Sequence, residues 1–107
     1  METSEKKLQE MQFIEQNLQN LLMQKQAFQL EFSETESAIK ELEKSGDEVF
    51  KIIGQLMIKT DKKKITEELT NKKKLLDLRL NSLGKQEKTL SEQYMKLREE
   101  FLEKGKK

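Results

Sequence analysis

No cysteine, histidine, proline or tryptophan occurs among the 107 residues of this chain. Each absence excludes something. Without cysteine there is no disulfide framework, and no thiol sets the compartment. Without Cys or His, neither a zinc site nor a His-based nucleophilic relay can be assembled. The carboxylates that remain are scattered along helix faces, so the chain is not expected to be an enzyme, and no metal or cofactor is implied. Long apolar runs are missing too. No run exceeds three residues, far short of the roughly 20 a membrane span needs, so no membrane role is expected. Met1 to Lys7 carries Glu2, Glu5, Lys6 and Lys7 and leads into no apolar block, unlike a secretory signal. By exclusion, the expected location is cytoplasmic.

What is present is charge and rhythm. Charged residues make up 38% of the chain and hydrophobic ones only 34%, a mix typical of long helices when it carries a seven-residue beat. The first helix is expected over 4–44, with Thr3 or Ser4 as N-cap and Glu5 in the first turn. Setting position a at Met11 gives the a series Met11, Leu18, Lys25, Phe32 and Ile39. The d series is Ile14, Leu21, Phe28, Thr35 and Leu42. Eight of these ten are apolar, which argues an amphipathic helix of coiled-coil period. Leu8 extends the stripe backward and Leu22 widens it. Ser45-Gly46 ends it, with Gly46 suited to a left-handed position after the helix.

The second helix is expected over 61–104, capped by Thr60 or Asp61. Leucines recur at Leu69, Leu76, Leu83, Leu90 and Leu97, with a more polar companion series of Thr66, Lys73, Leu80, Glu87, Tyr94 and Phe101. Leu75 and Leu78 broaden the stripe. Gly84 in the helix interior permits a bend or close packing. Gly105 is a natural stop, among C-terminal lysines that suit the helix dipole. Each helix would run about 60 Å at about 1.5 Å per residue. A short connection returns the second antiparallel to the first, with both termini at one free tip. Leu8 is then expected opposite Leu97, Met11 opposite Tyr94, Leu22 opposite Leu83 and Lys25 opposite Leu80. Charge agrees: 5 Lys against 8 Glu from Glu5 to Lys44, but 14 Lys+Arg against 9 Asp+Glu from Asp61 to Lys107. Lys25 and Glu87 on the seams are expected to loosen the coil locally.

Between the helices lies a segment of another character, Glu48-Val49-Phe50-Lys51-Ile52-Ile53-Gly54-Gln55-Leu56-Met57-Ile58-Lys59-Thr60. Its β-branched and aromatic residues favour strands. Gly54-Gln55 fits a two-residue type II′ turn, which wants Gly first. That turn pairs Ile53 with Leu56, Ile52 with Met57, Lys51 with Ile58, Phe50 with Lys59 and Val49 with Thr60. One face then shows Val49, Ile53, Leu56 and Ile58, and the other Phe50, Ile52 and Met57. Both faces are apolar. A lone hairpin is marginal in water and has two unpaired edges, so covering both faces calls for strands from other chains. Val49, Phe50, Ile52, Ile53, Leu56, Met57 and Ile58 are therefore the candidate subunit-assembly residues.

Two other patterns bear on function. The leucine repeat resembles a zipper, but the run before it, Lys62-Lys63-Lys64-Ile65-Thr66-Glu67-Glu68, lacks the Arg and Asn of a DNA-reading basic region. With a net charge of only +1, no nucleic-acid partner is expected. At the tips, Leu8, Met11, Phe13, Ile14, Tyr94, Met95, Leu97, Phe101 and Leu102 carry more apolar mass than two helices can hide. Met95 aside, these form the candidate client-binding set, an adaptable surface for apolar segments.

Long helix, single β-hairpin, long returning helix: this arrangement resembles prefoldin subunits, and in detail the archaeal β type. The resemblance rests on Leu21-Leu22-Met23-Gln24-Lys25-Gln26, on Glu48 to Lys59, on Lys73-Lys74-Leu75-Leu76-Asp77-Leu78-Arg79 and on Leu83-Gly84-Lys85-Gln86-Glu87. It covers almost the whole chain as a single prefoldin-like domain, 1–107. One hairpin rather than two places it in the β class. The resemblance implies a mostly α fold, an antiparallel two-helix coiled coil with a β-hairpin at the bend, and hairpins joined into an intersubunit β-barrel platform. It further implies an ATP-independent holdase of two α-type and four β-type chains, holding unfolded polypeptides at the tips for a group II chaperonin. The alternative class is a structural coiled-coil scaffold that binds no client.

Overall fold

The computed structural model describes residues 4–105. Helix α1 spans Ser4–Lys44, strand β1 Glu48–Ile53, strand β2 Leu56–Asp61 and helix α2 Lys62–Gly105. The strands form one two-stranded antiparallel sheet in the register Val49↔Thr60, Phe50↔Lys59, Lys51↔Ile58, Ile52↔Met57 and Ile53↔Leu56, extended by Glu48↔Asp61. Gly54 sits at φ 60° while Gln55 keeps a negative φ. That combination belongs to a type II′ turn, and it is why glycine stands first in the loop.

The helix ends are fixed by side chains. Asp61, the last residue of β2, accepts a hydrogen bond at Oδ1 from the Lys63 amide (3.2 Å), so of the two expected caps it is Asp61 that caps α2, and the helix begins at Lys62. At the end of α1, the Ser45 amide and hydroxyl both donate to the Leu42 carbonyl, at 3.2 and 2.8 Å. Lys62 Nζ donates to the Ser45 carbonyl at 2.8 Å. Gly46 is not left-handed, contrary to expectation. The Leu42 carbonyl, which such a glycine would have served, is satisfied by Ser45 instead. Thr3, the other candidate cap of α1, and Lys106 and Lys107 lie outside the described residues.

The chain divides into two compact units, one built from the segments up to Ala27 and from Leu80 onward, the other from Phe28–Arg79. In the first, Lys7 meets Glu100, Glu15 meets Tyr94 and Lys25 meets Glu87, so residue numbers rise along α1 as they fall along α2. In the second, Phe28 lies under Arg79, Phe32 under Lys73, and Ser45 meets Lys62. Both units are antiparallel helix pairs, and the second carries the hairpin.

The seam is where the heptads put it. All ten α1 positions from Met11 to Leu42 are buried or half-buried, as are the five repeated leucines of α2 and their six companions. Met11, Ile14, Leu21, Leu76 and Leu83 form the most buried apolar set on the helices. Thr35 is buried as well, its hydroxyl donating to the Glu31 carbonyl at 2.8 Å, which makes a polar seam residue tolerable. The expected widening of the stripe does not occur. Leu22, Leu75 and Leu78 are exposed. Leu75 and Leu78 fall on outer heptad positions and Leu22 only flanks the seam, and two helices alone bury a narrow a/d seam. Among the described residues, no helix is long and apolar enough to cross a membrane.

Candidate functional sites

The hairpin holds the most exposed apolar cluster on a regular element. Phe50, Ile52, Ile53, Leu56, Met57 and Ile58 are all exposed, and Val49 alone of the assembly set is buried. Alternation along each strand places Lys51, Ile53, Leu56 and Ile58 with Val49 on one face, and Phe50, Ile52 and Met57 on the other. The faces are not equivalent. Lys51 reaches Glu68 of α2 at 3.3 Å, which turns its own face toward the helix. Ile58, paired across the strands with Lys51, is the least exposed of the six. On the opposite face Lys59 pairs with Glu48 at 3.2 Å, leaving the apolar residues nearer the turn uncovered.

The tip residues separate into two groups. Met11 and Ile14 are buried in the seam, and Tyr94, Leu97 and Phe101 are half-buried along it. Leu8, Phe13 and Leu102 are exposed, as is Met95. Leu8 was expected to continue the seam, but that buried position belongs to Lys7, whose ammonium donates to Glu100 Oε2 at 2.9 Å. A long side chain can bury its stem and still pair its charge, so the lysine fits where the heptad phase puts it. Phe13, Ile14 and Leu97 share a groove of about 660 Å3 with Leu90, rimmed by Lys6, Gln9, Glu10, Gln93, Lys96 and Glu100. Leu90 was legible in the sequence as a seam leucine. Its place in the groove depends on the stagger of the two helices, which heptad counting does not give.

Tyr94, expected opposite Met11, is joined to Glu15 one turn further along α1. Its hydroxyl donates to Glu15 Oε1 at 2.6 Å. That bond, with some burial and the Glu15 charge, raises the phenol above its ordinary value, while Arg98 acts weakly the other way. Elsewhere the polar seam residues find each other. Lys25 and Glu87 form an ion pair at 3.6 Å, and Lys72 and Lys73 reach Glu31 and Glu36 at 3.1 and 3.3 Å. The acidic helix and the basic one are thus stitched along their flanks, though exposed pairs contribute only a few tenths of a kcal/mol each.

The sequence is similar to that of known proteins, one of which has this arrangement in a crystal structure. The profile of the prefoldin subunit family matches residues 5–107. Prefoldin subunit beta of Thermococcus onnurineus (strain NA1) is 45% identical over 85 residues, covering 78% of this chain and 73% of that one. Its counterpart in Methanothrix thermoacetophila is 38% identical over 96 residues, covering 88% and 80%. The crystal structure of the prefoldin beta subunit from Thermococcus strain KS-1 superposes with a TM-score of 0.84 at 37% identity, over 92% of this chain and 88% of that one. The matched span includes the hairpin and both helices, and a single hairpin sets the class. The chain belongs to the prefoldin subunit family of chaperones, as a β-type subunit.

Proposed function

We propose that this chain is one of four β-type subunits which, with two α-type subunits, build a hexameric cytoplasmic holdase that works without ATP. The whole chain acts as one prefoldin-like unit, its hairpins joining those of its partners in a β-barrel platform. Unfolded polypeptides are held at the helix tips and passed to a group II chaperonin. The observation that carries this reading is the hairpin, whose six exposed apolar side chains lie on both faces.

Magnitudes favour assembly over a solitary hairpin. Full burial of a Leu, Ile, Phe or Met side chain is worth about 1.5–3 kcal/mol, so six side chains already partly covered hold back on the order of 5–10 kcal/mol. Joining two bodies costs about 4–15 kcal/mol in lost freedom. One partner covering one face hardly offsets that cost. Covering both faces and pairing both edges, as a closed barrel does, brings the gain into the range of that cost. The tip reading is supported by Leu8, Phe13, Met95 and Leu102, which stay exposed beside the groove residues.

The test is truncation within the assembled hexamer. Removing the residues before Ile14 and after Tyr94 is expected to abolish suppression of aggregation of an unfolded client while leaving the hexamer mass, less the deleted residues, intact. Full protection by the truncated hexamer contradicts the tip assignment. A full-length hexamer that protects no client favours the scaffold reading.

A further inference from the structure

In the unit built from the segments up to Ala27 and from Leu80 onward, the seam is well closed at Leu21 and Leu83, both buried. One layer differs. Lys25 takes a seam position on α1 and Glu87 a seam position on α2, with the ammonium 3.6 Å from Glu87 Oε2. That distance makes an ion pair but is too long for a hydrogen bond. Oε2 is itself buried and accepts no hydrogen bond from a described residue. The Glu87 side chain as a whole is about 37% exposed, so one part of it reaches water while Oε2 is turned inward. A carboxylate oxygen turned away from water without a hydrogen bond favours any opened state in which water reaches it.

Three residues earlier on α2 stands Gly84. A Cβ built there meets no atom within 4 Å, and the backbone is not left-handed, so neither close packing nor conformation calls for glycine. What glycine does in a helix interior is make local opening easier, because it regains more backbone freedom than any other residue. The weak residue of the helix and the weak pair of the seam therefore coincide within one turn.

We propose that the Lys25–Glu87 layer with Gly84 is a built-in opening point, where α1 and α2 part locally more often than at the apolar layers beside it. Local opening concentrates where polar groups are poorly satisfied and apolar contact is thin, and both conditions meet here. The inference concerns helix pairing inside this unit and stands whether or not the tips hold clients.

Amide hydrogen exchange on the full chain, in its assembled state, tests it. Amides of residues 24–27 and 84–88 are expected to exchange faster than those of 17–21 and 90–94. Gly84→Ala is expected to slow exchange at the layer about fivefold, from the helix propensity regained. Lys25→Leu combined with Glu87→Leu is expected to bring the layer down to the rate of its flanks. Equal rates at layer and flanks in the unaltered chain overturn the proposal. So does faster exchange in the double-leucine chain, which would make the ion pair a clasp.

Discussion

Lys51 of β1 and Glu68 of α2 form an ion pair at 3.3 Å, tying the hairpin to the first turns of the returning helix. Both side chains are about half exposed, so the pair adds little stability. Its consequence is positional. The face carrying Lys51 also carries the buried Val49 and is tied to α2 at that end, with Ile53 and Leu56 still exposed near the turn, and Phe50, Ile52 and Met57 form the opposite, outward face.

The outward face is therefore the one to disrupt. Ile52→Lys combined with Met57→Lys is expected to stop association with other subunits. The two side chains are 69% and 68% exposed, so the folded chain itself is expected to change by about 0.5 kcal/mol or less per substitution. Light scattering reads the assembly and circular dichroism the helix content. Unimpaired assembly would show that this face is not an interface.

Two leucines of α2, two residues apart, are expected to behave oppositely. Leu76 is 6% exposed and Leu78 65%. Leu76→Ala is expected to cost about 2–4 kcal/mol in urea unfolding, the range for a buried leucine. Leu78→Ala is expected to stay within about 0.5 kcal/mol. Similar losses at both sites would mean that the outer face of α2 is covered in solution.

At the tips the same contrast separates binding from folding. Phe13 is 65% exposed and Ile14 8%. Phe13→Ser is expected to weaken protection of an unfolded client severalfold with the melting temperature unchanged. Ile14→Ser is expected to lower the stability of the tip itself, by about 2 kcal/mol or more. Client protection that is indifferent to Phe13 would remove it from the binding surface.

Tyr94 is the only tyrosine and there is no tryptophan, so its ionisation can be followed by absorbance alone. The bond to Glu15 needs the phenol proton, and the phenol pKa in the folded chain is raised above the ordinary value of 10.0. A raised folded-state value means that its contribution is fully present below the unfolded value and is lost as pH rises through the folded one. Titration is therefore expected above pH 10.0, and Glu15→Gln is expected to move it down. A midpoint unaffected by Glu15→Gln would show that the bond does not hold in solution.

The heptads and the hairpin were legible residue by residue, and the reason is periodicity. A seven-residue repeat fixes which side of a helix turns inward, and so every position from Met11 to Leu42 in the two series came out covered. A two-residue turn fixes strand register, and so Ile52 fell opposite Met57. Axial stagger and side-chain reach are not periodic. Lys7 rather than Leu8 closes the seam near the tip, and the Lys25 ammonium extends to Glu87, because long side chains settle their own pairings. Gly46 departs from expectation for a related reason, since Ser45 bonds the Leu42 carbonyl at the helix end without a left-handed residue. The tip groove was half legible: Phe13, Ile14 and Leu97 stand out in the sequence as tip residues, but their meeting with Leu90 depends on the stagger.

The central claim is that the hairpin exists to be covered by other subunits. Molar mass by light scattering, with and without a co-expressed two-hairpin α-type partner, tests it most directly. A hexamer of two α-type and four β-type chains is expected when the partner is present. A monomer of 12.7 kDa under both conditions would contradict it.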